Sequence, residues 1–336
     1  GGEGGVAAET GAAHCIAVSN ATLGLQLAVR ALGIEGEAIV PSFTFPATVH
    51  ALAWEGVAPV FCDVDQASHT LDVAAVERTI GPQTRAIVGV HAWGQPCDVE
   101  ALEELARRRG LKLLLDAAHA WGCSHRGRMI GNFGDAEVFS FHATKFVCAG
   151  EGGAIATNDD DLAARLRRLR NFGLQGTEVV ELGVNAKMSE LAAALALTSL
   201  ESQAEFVDRN RENFAAYERA LAGAPGLRMR TARSADRRNF QYVVVEVDPA
   251  AAQADRDQIV AALHRQNVLA KRYFWPGCPR LPPYQQAYAA RRQPLATTER
   301  LCQRLLQLPT GLAVTPAEAA RIGDYLHGLL RRRRAA

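Results

Sequence analysis

Leu111-Lys112-Leu113-Leu114-Leu115-Asp116-Ala117-Ala118-His119 is the stretch that decides the fold. Its five positions 111–115, with Leu113, Leu114 and Leu115 in a row, read as a strand covered on both faces, which is the habit of a parallel sheet. It ends abruptly in an acid and, three residues on, a histidine. Working outward, residues 14–18, 38–40, 57–64 and 85–91 also read as short strands. Helical patterns fall between them, over residues 23–32, 47–54, 72–80 and 99–109. Such alternation predicts a doubly wound α/β layer, and ligands of these sheets sit at the carboxyl ends of the strands. That edge then gathers Asp116, the turn Ser19-Asn20-Ala21-Thr22, the aromatics Phe43 and Phe45, and His91.

A second stretch carries the chemistry. Ser140-Phe141-His142-Ala143-Thr144-Lys145 is followed by Gly150-Glu151-Gly152-Gly153. Lys145 lies between apolar segments, and burying an ammonium is costly, so its pKa is expected to fall or it must meet a charged partner. A lysine of lowered pKa can attack an aldehyde and hold it covalently. The chain has four lysines, Lys112, Lys145, Lys187 and Lys271, and takes the rest of its positive charge from arginine. The Ser19–Thr22 turn opens a helix. Taken alone it fits a plain helix cap better than an anion site at the positive end of the helix dipole, though its N–H groups and the Thr22 hydroxyl could serve one.

The 336 residues carry a net charge of +1 and are 48% hydrophobic. That supports a large core and argues against nucleic-acid or anionic-membrane partners. Seven cysteines in no metal-binding spacing fit reduced thiols in a cytoplasmic protein without a metal. No apolar run is long enough to span a bilayer. The Gly/Ala-rich opening reads as a truncated or poorly structured lead-in, and Arg331 to Arg334 as a solvated tail. A long helical pattern leads to a domain boundary near residue 205, giving a large domain over 1–205 and a smaller α+β domain over 206–336. In the latter, residues 240–247 and 269–273 read as strands, and 301–308 and 317–330 as helices.

Together these residues suit pyridoxal phosphate (PLP). Its aldehyde needs a lysine, its pyridine nitrogen a carboxylate, and its phosphate hydroxyls and N–H groups at a helix start. Lys145, Asp116, and Ser19 to Thr22 with Ser140 fill those roles. The strings Ser19-Asn20-Ala21-Thr22, Pro41-Ser42-Phe43-Thr44-Phe45, Asp116-Ala117-Ala118-His119 and Ser140 to Lys145, with Gly150-Glu151-Gly152-Gly153, resemble the DegT/DnrJ/EryC1/StrS sugar aminotransferases. Gly183-Val184-Asn185-Ala186-Lys187-Met188 and Tyr273-Phe274-Trp275-Pro276 extend the resemblance over nearly the whole chain.

The resemblance implies fold type I (aspartate aminotransferase-like) architecture and a homodimer. It implies that Lys145 binds the cofactor aldehyde, Asp116 pairs with the pyridinium, His119 meets the ring or phenolic oxygen, and Phe45 stacks on the ring. Asn20, Ala21, Thr22 and Ser140 would bind the phosphate, and Asn185 would reach the cofactor of the other subunit. His142, Lys271, Arg272 and Tyr273 are candidate substrate contacts. Asn20 stands where relatives have glycine, and asparagine tolerates left-handed angles better than most residues. Relatives also carry a longer stretch before the first strand. The activity implied is transfer of an amino group from L-glutamate, through PLP and its pyridoxamine form, to a keto-sugar nucleotide. C4 of a dTDP-4-keto-6-deoxyhexose is the expected acceptor. The alternatives are C3 of a 3-keto sugar nucleotide, a cyclitol ketone, or a non-catalytic sensor on the same fold. A dehydratase variant of the family has histidine at the lysine position. Lys145 is retained here, and His142 is offset by three residues.

Overall fold

The computed structural model describes residues 2–231, 235–291 and 294–335. Seven strands form the central sheet: β1 (His14–Val18), β2 (Glu37–Pro41), β3 (Ala58–Cys62), β4 (Thr84–Val90), β5 (Lys112–Asp116), β6 (Ala136–Ser140) and β7 (Gly153–Thr157). Their order is β3-β2-β4-β5-β6-β7-β1, and β7 alone runs against its neighbours. This is the mostly parallel, doubly wound layer expected from the alternation of elements. In β5, Leu113 and Leu115 pack into one apolar cluster and Leu114 into the other. That two-sided burial explains the unbroken leucine run, and each such side chain contributes about 1.5–3 kcal/mol.

Helices α1 (Gly2–Thr10), α2 (Ala21–Ala31), α3 (Pro46–Trp54), α4 (Val73–Thr79), α5 (Val99–Arg109), α6 (Asp160–Arg170) and α7 (Glu190–Glu201) accompany this sheet. The expectation of an unstructured lead-in is overturned by α1. Val6 and Thr10 are buried, and Gly5 approaches Leu197 and Leu200 of α7. The Glu3 carboxylate accepts hydrogen bonds from the Ala17 amide and the Arg170 guanidinium. Tertiary packing and these bonds offset the poor helix propensity of its glycines.

A second sheet holds β8 (Leu227–Met229), β9 (Val243–Val247), β10 (Lys271–Arg272) and β11 (Leu305–Leu308), in the order β8-β9-β11-β10 and antiparallel throughout. Helix α8 (Gln203–Leu221) and the final helix, Pro316–Ala335, pack on one face. We propose that the domain boundary lies near residue 205, in the first turn of α8.

Three local expectations change. Residues 301–308 are not one helix: a helix over Ala296–Arg304 gives way to β11, because Leu305–Leu308 pairs with β9 in the sheet interior. The strands expected over 240–247 and 269–273 shorten to β9 and β10. Phe240 has φ of +52°, which extended strand geometry does not allow. The terminal arginines continue the last helix as far as Ala335 rather than forming a tail.

Candidate active site

The carboxyl edge of the central sheet opens into a cavity of about 680 Å³. Asn20, Ala21, Thr22, Phe45, Asp116, His119, Ser140, His142, Lys145, Lys271 and Tyr273 all line it. Eleven of the thirteen site residues expected from the sequence thus meet in one place. Asn185 and Arg272 do not line it. Asn185 is exposed and its side-chain oxygen accepts a bond from Lys187 Nζ at 2.7 Å. Arg272 lies along a neighbouring cleft that also includes Phe45, with its guanidinium 4.6 Å from the Trp275 ring centre.

At one end of the cavity, β1 runs through Ser19 and Asn20 into α2. Asn20 Oδ1 caps the helix by accepting from the Leu23 amide at 2.9 Å. The Ala21 and Thr22 amides, in the first turn, have no acceptor within the helix. Asn20 is extended (φ −166°, ψ 165°), so it needs none of the left-handed freedom anticipated for it. The close approach falls on Gly153 instead. Antiparallel β7 places Gly153 beside both Val18 and Ser140. A Cβ there would lie 2.9 Å from the Ala21 nitrogen and 3.0 Å from the Asn20 carbonyl carbon. Only glycine lets β7 pass under this turn, so the hydroxyls of Thr22 and Ser140 and the amides of α2 share one pocket wall.

Asp116 ends β5 and is buried. Its Oδ1 accepts from the Ala118 amide at 3.0 Å and its Oδ2 from Thr48 Oγ1 at 2.8 Å; Thr48 in turn bonds Thr44. Burial pushes the carboxyl pKa up, against these bonds and the nearby Lys145 charge. A cation against Asp116 would reverse that rise.

His119 is buried and neutral: burial, with Lys145 nearby, holds its pKa well below the usual value. Its Nδ1 accepts from the Trp93 amide at 3.3 Å, which leaves the proton on Nε2. Trp93 and Phe274 stack with the imidazole, the latter at 11° between planes.

Lys145 stands on the loop joining β6 to β7. Bonds from Phe141 N to Gly152 O, Ala143 N to Gly150 O and Lys145 N to His142 O close that loop. The Nζ donates to Tyr242 Oη at 2.7 Å. Burial, opposed by Asp116 and aided by Lys271, pushes the ammonium pKa down to about 8. His142 stays half-exposed, bonded to Thr144 Oγ1 at 2.9 Å.

Sequence reasoning missed Thr48 and Tyr242. Thr48 is one turn into α3 and its approach to Asp116 is tertiary. Tyr242 left a faint signal, a lone tyrosine before the valines of β9. Also missed was the buried pair under the edge: His91 Nε2 lies 2.8 Å from Glu137 Oε1, while its Nδ1 accepts from the Cys97 amide at 3.0 Å.

This arrangement offers a nucleophilic amine, a carboxylate for a ring cation and an anion-binding helix start in one cavity. The comparisons agree. The chain matches the DegT/DnrJ/EryC1/StrS aminotransferase family over residues 3–327. It is 37% identical over 264 residues to a dTDP-4-amino-4,6-dideoxy-D-glucose transaminase of Shigella dysenteriae, covering 78% of this chain and 71% of that one. It is 36% identical over 319 residues to the GDP-perosamine synthase of Caulobacter vibrioides, covering 93% and 84%. The crystal structure of DesI in the presence of its TDP-sugar product superposes with a TM-score of 0.94 at 47% identity, over 99% of this chain and 85% of that one. Cavity, sheet order and sequence lead to one conclusion: this chain belongs to the DegT/DnrJ/EryC1/StrS aminotransferase family and has its fold type I architecture.

Proposed function

We propose that the protein is a PLP-dependent nucleotide-sugar aminotransferase that aminates C4 of a dTDP-4-keto-6-deoxyhexose, with L-glutamate as donor. The observation that carries the reading is the placing of Lys145 Nζ, the Asp116 carboxylate and the Ala21–Thr22 helix start around one cavity. The residues fit the cofactor. Lys145 is the amine for its aldehyde, Asp116 a buried carboxylate needing a cation, and Gly153 keeps open the cradle for its phosphate. Thr22, Ser140 and the α2 amides would hold that phosphate, with Asn20 capping the helix. His119 would give its Nε2 proton to the phenolic oxygen, and Phe45 would cover the ring.

When bound, PLP supplies an aldehyde that takes up the amino group and a protonated ring that accepts electron density. Asp116 keeps that ring proton in place. Lys145 Nζ, with its pKa near 8, can both accept and return a proton at neutral pH, as acid–base catalysis of amino transfer requires. Trp93 and Phe274 exclude water from one side of His119.

The names of relatives support the substrate class. Transaminases of Shigella dysenteriae and Escherichia coli named for dTDP-4-amino-4,6-dideoxy-D-glucose are 37% and 32% identical. A 34% identical relative from Shewanella sediminis is named as using oxoglutarate, the keto partner of glutamate. His142, Lys271 and Tyr273 would face the sugar from the cavity wall, and Arg272 the diphosphate from the neighbouring cleft. A homodimer is part of the proposal. Val179, Leu182 and Leu191, in the sequence on either side of Asn185, are largely exposed, apolar side chains that a second copy would cover. No described helix is long and apolar enough to cross a membrane. The free cysteines suit the reducing cytoplasm we propose as its compartment.

The test is reconstitution with PLP, followed by glutamate and a panel of 4-keto and 3-keto sugar nucleotides and keto-cyclitols, with products read by mass spectrometry. A visible cofactor band that bleaches with glutamate, and amination at C4, is the expected outcome. No band, or a Lys145→Ala protein that still transaminates, would refute the aminotransferase reading. Amination only of 3-keto sugars or cyclitols would refute the choice of C4.

A further inference from the structure

Tyr242 directly precedes β9. The alternation of that strand sends Val243, Val245 and Val247 into the core of the second sheet. Tyr242 and Val244 turn the other way, toward Phe43 and Phe274. Tyr242 is buried, and its hydroxyl sits at the foot of the lysine. Two groups donate to that oxygen, Lys145 Nζ at 2.7 Å and Gln241 Nε2 at 3.2 Å. The Tyr273 ring stands 6.2 Å from the Tyr242 ring, centre to centre, on the cavity wall. A phenol oxygen has two acceptor positions and one proton. Lysine and glutamine fill the acceptor positions, so the Tyr242 proton points away from both. The set therefore has a direction: Lys145 gives an N–H to Tyr242, and Tyr242 gives its own O–H away from the lysine.

We propose that Tyr242, its oxygen held by Gln241, is a positioning residue that ties one N–H of Lys145 and leaves the nitrogen lone pair facing the cavity that holds Asp116 and His119. The proposal rests on Lys145 being the cofactor lysine. The oxygen has no free proton with which to capture the lone pair, so the neutral amine is presented ready to attack. The same oxygen favours the charged amine, because a hydrogen bond to an ammonium is stronger than one to a neutral amine. Burial alone would push the lysine lower still.

The experiment is competitive labelling of the cofactor-free protein with acetic anhydride between pH 6 and 11. Lys145 acetylation is read by mass spectrometry, with the exposed Lys112 as internal reference. Wild-type Lys145 is expected to titrate near pH 8. Tyr242→Phe keeps the ring in its aromatic contacts and removes only the oxygen. Its midpoint is expected to fall by about one pH unit, the size of a lost charge-assisted bond. Its plateau rate at high pH is expected to fall severalfold. Gln241→Met empties the second acceptor position and frees the Tyr242 hydroxyl to turn its proton toward the lysine lone pair, so its plateau rate falls likewise. A Tyr242→Phe profile matching wild type in both midpoint and plateau overturns the proposal. So does an unchanged plateau in Gln241→Met, which tests the same direction through a second residue should the first variant fold poorly. A wild-type protein that takes up no PLP refutes the proposed function and leaves this labelling readable, so the two failures are distinct.

Discussion

The lysine at the centre of the site is expected to weaken the fold of the cofactor-free protein, and removing it should show this. Burial lowers the Lys145 pKa from 10.5 to about 8. Between those values the unfolded chain carries a proton on this residue that the folded chain lacks. Stability therefore rises with pH across that window. Below pH 8 both states are protonated and the full cost of burying the ammonium is borne. A lowering of about 2.5 pH units corresponds to roughly 3.4 kcal/mol. Lys145→Met removes that cost while keeping the length of the side chain. It also forfeits the bond to Tyr242, worth about 1 kcal/mol, and leaves Asp116 without a nearby cation. The net expectation for the cofactor-free variant is a gain of about 1–2 kcal/mol at pH 7. That gain should shrink through pH 8 to 10.5 and become a loss of about 1.5–2.5 kcal/mol above it. Urea unfolding at pH 7, 9 and 10.5 measures it. A variant less stable than wild type at pH 7, or a gain that does not change with pH, would refute the reasoning.

Three further outcomes follow from the same geometry. Asp116→Asn keeps the bond from the Ala118 amide on its oxygen and reverses the one to Thr48, whose hydroxyl can then donate to Thr44, but it cannot hold a ring cation; transamination should fall on the order of 10²-fold or more while cofactor still binds, as steady-state kinetics and absorbance would show. Gly153→Ala forces a Cβ onto backbone atoms of Phe139, Ala21 and Asn20. It should cost about 1–3 kcal/mol in urea unfolding and weaken PLP binding more than binding of the phosphate-free aldehyde. Glu137→Gln puts an NH₂ where two backbone amides, of Gly131 and Phe133, and His91 Nε2 all need an acceptor. One buried donor is left unpaired whichever way the amide turns, at a cost of about 1–3 kcal/mol in the same assay.

The strands and the residues at their ends were legible because their causes are local. A leucine run buried on both sides, a cap residue before a helix and an acid at a strand end each leave a pattern a few residues long. Lys145, Asp116, His119 and the Asn20–Thr22 turn were found that way. Local patterns misled where a partner decided the state. Leu305 to Leu308 continue an apolar helical rhythm, yet they become a strand because β9 offers them a ladder. The Gly-rich opening folds because α7 and Arg170 receive it.

The sequence by itself determined the layer, the carboxyl edge and which residues stand on it, because periodicity and caps act within one element. Only the tertiary structure decided what each of those residues touches. It brought Thr48 to Asp116, set Gly153 under the α2 turn and placed Tyr242, from the second sheet, against Lys145. It also placed Arg272 and Asn185 outside the cavity. Contacts between residues some hundred positions apart depend on how whole sheets pack, and no window of neighbouring residues encodes that distance.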